Sequence, residues 1–469
     1  MSDPNRALFR YTQYLQLPVL CTKDNRAIGH ILSHSDIYQK PPVVRNFLAR
    51  LFGEGLLVVD REQHKQQRKI IKALVLRDRW NSELSSDSKG TRIDVLKWLN
   101  MATLDIIGQA GFNYQFEALD PSSPTNDLNE AITNLFNAIQ KFSWTLILQG
   151  WFPVLRCIRT QAEKQIIIAK TTLARVGGKL LEDAKKNAVA DKEHIVDKDI
   201  LSLLVKANMA EGAGGQKLTD ADVLARESTR LRSFVGMKMT NYAEIPTFLV
   251  AGHETTSSAT TWCLFALAQL TSAQSRLREE CLSLATDSPT MDELNALTYL
   301  DCVVKETMRI HAPVPSTNRI AAQDDEIPVD EPWADEKGTR HHSIKIAKGD
   351  AVSILVGCMN RSEQIWGAGA DTFRPERWEE AKTLVPNGIP SIWGNQLTFL
   401  AGPRSCIGYR FALAEMKALI FTLVRSFEFE LAVPANDIIA KQSIVSRPIV
   451  RTNREAGNQM PLLVKPYHA

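Results

Sequence analysis

Near the C-terminal end, residues 399–412 read FLAGPRSCIGYRFA, with one cysteine between an arginine and a glycine, just ahead of an apolar helical run. A cysteine buried for packing needs neither neighbour, whereas a metal-binding thiolate can use both. Cys406 stands at the start of a strong helix, where unpaired N–H groups and the positive end of the macrodipole favour an anion. Such a place lowers a thiol's pKa and favours the thiolate. Gly402 and Gly408 allow tight turns and the close approach of a flat ligand. Arg404 can pair with an acidic group on that ligand, and Phe399 can pack beside the sulfur and keep water out. A thiolate shielded from water and next to a cation suits an iron porphyrin with propionate arms. Without those neighbours, Cys406 would read as a core thiol, the usual fate of a free cysteine.

Two other groups of residues can do chemistry. Glu254 and Thr255 lie inside a long apolar run, and polar groups on a buried helix face need partners. On their own they read as a threonine bonded back to a carbonyl four residues earlier and a glutamate paired with a buried base. Glu306 and Arg309 are three apart on a helical stretch, so they share a face. That pair alone reads as a surface ion pair.

The elements that must position these groups are mostly helical. From Ile245 to about Leu270 runs a candidate helix of roughly 40 Å, apolar nearly all round and therefore buried. Residues 94–112 (DVLKWLNMATLDIIGQAGF), 127–142 and 163–188 repeat helical spacing. Residues 191–225 read as a helix, a glycine-rich loop and a new N-cap at Thr219 or Asp220. SAQSRLREECLSLA and TYLDCVVKETMRIHAP continue the helical series. Between Pro313 and about Trp378 prolines, glycines and short runs such as HSIKIA and AVSILVG indicate a small sheet. GLLVVD (55–60) is a further strand candidate. Helix returns after Cys406, and the C-terminus reads as strands and turns. The expected fold is mainly α with a small β part, in one domain without an evident linker.

Composition narrows the function classes. Charged residues make up 23% and the net charge is +3, with no long basic tract and no interleaved aromatic platform, so nucleic-acid binding is not expected. The seven cysteines are scattered and never form CxxC, which argues against a disulfide framework and a zinc module. No uninterrupted apolar run reaches membrane-spanning length, and the N-terminus lacks a signal-peptide pattern, so the chain as written reads as soluble and cytoplasmic.

Phe399, Gly402, Arg404, Cys406 and Gly408 fill every fixed place of FxxGxRxCxG. The stretch resembles the haem-binding loop of the cytochrome P450 family, in the style of filamentous-fungal secondary-metabolism members. AGHETT (251–256) resembles the oxygen-binding stretch of that family's long central helix, ETMR (306–309) its ExxR pair, and FRPERW (373–378) its PER motif. HKQQR (64–68) resembles the upstream helix whose basic residues hold a haem propionate. The resemblance runs from about residue 20 to the end, and the single domain would span 1–469 without an N-terminal membrane anchor.

The resemblance implies a cytochrome P450 fold, with the central helix over haem b, and a role for each matching residue. Cys406 is the implied axial thiolate. Arg404, Arg68, His64 and Arg319 are the implied propionate partners. Ala251 and Gly252 leave space for dioxygen, Thr255 hands on protons, and Glu254 relays them from solvent. His253 falls at a variable motif position and reads as structural or solvent-relayed. Glu306, Arg309 and Arg377 form a buried network that positions the cysteine loop. Phe248, Ala251, Val314, Thr317, Ile444 and Val445 belong to the pocket for a small lipophilic substrate, a terpenoid or other secondary metabolite.

Electrons would come from NADPH through a separate flavoprotein reductase, since no flavin-binding module is present. The implied protein is a monomeric monooxygenase at the cytosolic face of the endoplasmic reticulum. An isomerase or dehydratase that uses no dioxygen, and a haem protein without turnover, are the alternatives; the intact Glu254–Thr255 pair argues against the first. Two stretches depart from the family pattern. The segment after Arg68, KIIKALVLRDRWNSEL, is short, and RESTRLRSFVGMKMTNY (226–242) is basic and looks inserted.

Overall fold

The computed structural model describes residues 8–12, 18–41, 75–82, 84, 90–112, 114–120, scattered positions from 164 to 178, and 244–467 except 336, 380–387 and 442. The strand expected at 55–60, the helices expected at 127–142 and 191–225, the 226–242 segment, His64 and Arg68 lie outside the described residues. The expected helix at 163–188 is helical at the positions described.

The described helices include α1 (Asn25–Ser33), α2 (Val95–Phe112), α3 (Glu244–Gln269), α4 (Thr271–Leu282), α5 (Met291–Ala296), α6 (Thr298–Ile310), α7 (Val356–Met359), α8 (Glu363–Trp366) and α9 (Tyr409–Ser426), and residues 75–82 are helical as well. A five-stranded sheet runs β1 (Leu8–Thr12), β2 (Pro18–Thr22), β8 (Ala351–Ile354), β5 (Thr317–Ala321), β3 (Tyr38–Gln39), with β2 and β8 parallel and the other neighbours antiparallel. A second sheet orders β4 (Thr91–Asp94), β12 (Pro461–Pro466) and β9 (Phe427–Leu431). Two hairpins complete it, β6 (Asp325–Ala334) with β7 (Arg340–Ile346), and β10 (Ile438–Lys441) with β11 (Arg447–Val450). The arrangement is mainly helical with a small β part.

Helix α3 is the element around which the others pack: α2, α6 and α9 all lie against it. Pro246 sits in its first turn, where a missing N–H costs no helical bond. Its ends fall within one residue of the expected ones. Its middle is unusually polar for a buried helix. Thr256, Thr260 and Thr261 donate to carbonyls four residues back at 2.7–3.0 Å, so their hydroxyls are satisfied within the helix. Ser257 reaches Asn100 of α2, and Ser258 donates 2.7 Å to the Ser446 carbonyl. A Cβ added at Gly252 would lie 3.1 Å from the Ile107 side chain. That glycine therefore lets α2 approach α3.

Local signals set the ends of the smaller helices. Thr290 and Glu293 cap α5 reciprocally, and the Asp24 side chain caps α1. At the end of α6 the His311 ring stacks on Trp262, with centroids 4.8 Å apart and planes 5° from parallel. Burial, with Arg361 and Arg309 nearby, pushes the His311 pKa down to about 3. The unfolded imidazole takes up a proton near its ordinary value of about 6.5, and the folded one does so only near about 3. Stability therefore falls as pH drops through that window. His311→Phe is expected to flatten this part of an acid titration followed by circular dichroism; an unchanged profile would exclude His311 as a source of the acid loss.

Candidate functional site

A fully buried polar cluster is centred on Glu306, at 0% exposure. Arg309, one helical turn on, forks onto it, with Nε 2.9 Å from Oε2 and Nη2 2.7 Å from Oε1. The Arg374 N–H donates to Oε1 at 3.0 Å and Trp378 Nε1 to Oε2 at 2.9 Å. Arg377 Nε lies 3.5 Å from Oε1, and its guanidinium also donates to the Trp366 and Gly369 carbonyls. The structure thus brings Glu306, Arg309 and Arg377 together. Burying three charges is expensive unless every donor and acceptor is used, and here the donors reach carbonyls as well as the carboxylate.

The network continues to the cysteine. Arg309 Nη1 donates to the Asn360 carbonyl at 2.6 Å. The Asn360 amide accepts from the Leu397 N–H at 3.0 Å and donates to Thr398 Oγ1 at 2.8 Å. Thr398 in turn donates to the Met308 carbonyl at 2.7 Å. The Phe399 carbonyl then accepts from the Cys406 N–H at 2.9 Å. Asn360 and Thr398 were missed in the sequence, where they belong to no charged pattern.

Within the loop, Gly402 adopts φ +70°, and a Cβ there would meet the Leu32 carbonyl oxygen at 2.3 Å. Its need for glycine comes from α1, not from a ligand. Gly408 precedes α9 and faces open space. Phe399 is buried, with its ring between Trp393 and Tyr409.

The Cys406 side chain opens into a cavity of about 230 Å³ between α3 and the cysteine loop. Thr255 and Thr256 line it from α3, Met308 from α6, Val314 and Thr317 from the strand approach, and Phe399, Arg404 and Met416 from the loop and α9. Most of this wall is apolar. Phe248, Val445, Ala251 and Gly252 do not line it. Val445 is buried next to the Ser446–Pro313 contact. Burial raises the Cys406 thiol above its ordinary value, against one lowering hydrogen bond from the Gly408 backbone. α9 begins at Tyr409, three residues past the cysteine. A bound cation would have to supply what the helix does not.

At one edge of the cavity three cations converge. Burial and Arg404 hold Arg319 below its usual pKa; burial, Arg319 and Arg404 do the same for Lys40. Among the described residues none of the three pairs with a carboxylate. Lys40, just past β3, was not read in the sequence, because a lone lysine there carries no motif. A thiol at the centre, apolar walls and unneutralised cations at the rim fit a flat iron-holding group with carboxylate arms.

Thr255 faces this cavity and donates 2.7 Å to the Ala251 carbonyl. Glu254 does not face it. Its carboxylate is 2% exposed and bonded to Arg447 at the start of β11, with His253 Nε2 at 3.5 Å on the other oxygen. Burial alone would raise its pKa; Arg447 and His253 outweigh that and hold it below the usual carboxylate range. A relay from solvent through Glu254 would have to pass this buried ion pair.

Removing Arg309 leaves Glu306 ionised in the core. Arg309→Ala is expected to cost about 3–5 kcal/mol in urea unfolding, with Arg309→Lys falling between it and the parent because lysine lacks the fork. A loss under about 1 kcal/mol, the scale of a surface pair, would contradict the network.

The cytochrome P450 family model matches residues 13–231 and 236–452. Its interruption falls inside the 226–242 segment that looked inserted. The chain is 44% identical to cytochrome P450 monooxygenase 205 of Postia placenta, over 98% of this chain and 86% of that one. It is 34% identical to cytochrome P450 monooxygenase claO of Ampulloclitocybe clavipes, over 95% and 83%. At 28% identity it matches ganoderic acid synthetase CYP5150L8 of Ganoderma lucidum, over 94% and 84%. Among the described residues, no helix is long and apolar enough to cross a membrane.

Proposed function

The chain belongs to the cytochrome P450 family and is a monooxygenase of it, and we propose that it inserts one atom of dioxygen into a small lipophilic substrate, a terpenoid or other secondary metabolite. The observation that carries this reading is the Cys406 thiol opening into an apolar cavity that Thr255 also lines. The names of relatives, including a ganoderic acid synthetase, support the substrate class. Electrons come from NADPH through a separate flavoprotein reductase. The chain works as a single-domain monomer at the cytosolic face of the endoplasmic reticulum.

Cys406 is the residue to hold haem iron, with Arg404, Arg319 and Lys40 as partners of the propionates; His64 and Arg68 are further partners by the sequence. Haem b, when bound, supplies the activation of dioxygen. The protein residues do the rest. The Phe399 carbonyl, accepting from the Cys406 N–H, holds the loop backbone beside the sulfur. Val314, Thr317 and Val356 give a wall on which an apolar molecule can lie. The Thr255 hydroxyl holds a proton on the cavity side of α3, and its 2.7 Å bond to Ala251 fixes where that hydroxyl points. Glu254 stands next to it in sequence as an acid from which Thr255 can be resupplied.

Thr255→Ala removes the hydroxyl without disturbing the helix. With reductase and NADPH, product is expected to fall while hydrogen peroxide release rises. Product formation equal to the parent's would contradict a proton-delivery role.

A further inference from the structure

The Arg309–Asn360 network grips the cysteine loop at residues 397 and 398. The other half of the loop, residues 402–404, packs on α1 instead. There the Leu32 carbonyl lies so close over Gly402 that an added Cβ would sit 2.3 Å from its oxygen. A loop pressed against a helix backbone takes its place from that helix. What fixes α1 therefore bears on the place of Arg404 and Cys406.

Two carboxylates fix α1 to the β6–β7 hairpin. At the start of the helix, Asp24 accepts the Ala27 N–H on one oxygen at 2.9 Å and the Asp330 N–H of β6 on the other at 2.8 Å. Further along, Asp325 at the head of β6 accepts from His30 Nε2 at 2.7 Å and from the Tyr38 hydroxyl at 2.6 Å, both on one oxygen. His30 is two residues from Leu32, so Asp325 is the carboxylate that holds the end of α1 nearest the loop.

Each donor is itself held. Tyr38 is fully buried, and burial together with Asp325 pushes its phenol up, so it keeps its hydrogen. The His34 ring stacks beside His30 with centroids 4.1 Å apart, and its Nδ1 donates 2.8 Å to the His30 carbonyl. Partial burial alone would raise the Asp325 pKa; the hydrogen bonds from Tyr38 and His30 outweigh it and hold the carboxyl below its usual range. Asp325 is thus an ionised double acceptor at neutral pH, and such bonds are the stronger kind. Tyr38 also belongs to β3, where it pairs with Ala321 of β5, the strand that carries Arg319. One oxygen gathers the helix beneath the cysteine loop and a strand beside a rim cation.

We propose that Asp325 is a positioning residue of the thiol site: through His30 it seats α1 on the hairpin, and through Leu32 α1 seats residues 402–404 and with them Cys406. The inference rests on the monooxygenase reading above for what Cys406 holds. It adds to the Glu306 network a second anchor, outside the cavity and on the other half of the loop.

The test uses the full chain as Asp325→Ala, Asp325→Asn and Tyr38→Phe. The first readout is amide hydrogen exchange followed by mass spectrometry, in peptides covering 399–408, with 298–310 of α6 as reference. Asp325→Ala is expected to speed exchange several-fold in 399–408 and to leave 298–310 at the parent's rate, because the Glu306 network is untouched. Asp325→Asn keeps an oxygen that accepts both donors and is expected to stay close to the parent. Exchange at 399–408 equal to the parent's in Asp325→Ala overturns the proposal. So does a rise of the same size in both peptides, the mark of a global loss of stability. If Asp325→Ala does not fold, Tyr38→Phe, which removes one donor and keeps the ring, is expected to give a smaller rise confined to 399–408; no rise there overturns the proposal too. The second readout is the reduced, carbon monoxide-bound spectrum of the haem-loaded chain. Asp325→Ala is expected to show more of the shorter-wavelength Soret band than the parent, and Asp325→Asn to restore the parent's ratio; a ratio unchanged in Asp325→Ala contradicts a role in placing the sulfur. A parent that takes up no haem would sink the monooxygenase reading, while hydrogen exchange would still decide for or against Asp325.

Discussion

The Glu306 carboxylate, without exposure to water, is the constraint on which the rest of the site depends. A buried anion is tolerable only where its lone pairs are all in use. Here Arg309, Arg377, Trp378 and the Arg374 N–H use them. These donors come from α6 and from the turn at 374–378, so satisfying one carboxylate fixes two distant parts of the chain. Arg309 then passes the constraint to Asn360, and Asn360 to residues 397 and 398. The cysteine, eight residues further on, inherits a backbone position that its own loop could not define. A loop with glycines at 402 and 408 would otherwise have many conformations.

The central helix carries a different compromise. It must pack closely against α2, and Gly252 under Ile107 allows this. It must also bring hydroxyls to a cavity. Threonines reconcile the two, since a hydroxyl bonded to a carbonyl four residues back is satisfied without a tertiary partner. Glu254 cannot be satisfied that way, and it is the residue for which the fold supplies an arginine from the far C-terminal strand. Cys406 shows the same economy in reverse. Its loop holds the sulfur in place but leaves the thiol raised in pKa, so the charge that stabilises a thiolate comes from what binds there.

Features that depend on short-range pattern were legible in the sequence. The ends of α3, the shared face of Glu306 and Arg309, and the loop around Cys406 follow from spacing and residue type. The three-residue step placed two charges on one face, and the family pattern supplied Arg377 as the third. What spacing could not give were partners contributed by distant segments with no motif of their own. Asn360 and Thr398 are ordinary polar residues in sequence, and only tertiary packing places them between Arg309 and the cysteine loop. Lys40 becomes a rim cation only because β3 pairs with β5, which brings it near Arg319. The direction of Glu254 depended on Arg447, nearly two hundred residues away. The exact start of the helix behind Cys406 was also beyond local pattern: it begins at Tyr409, three residues past the sulfur.

The central claim is that Cys406 ligates haem iron. Its most direct test is the absorption spectrum of the purified full-length chain, reduced and exposed to carbon monoxide. The account predicts a long-wavelength Soret band, the mark of iron held through a thiolate, and its loss in Cys406→Ser. A parent chain that shows only the shorter-wavelength band, or takes up no haem, would contradict it.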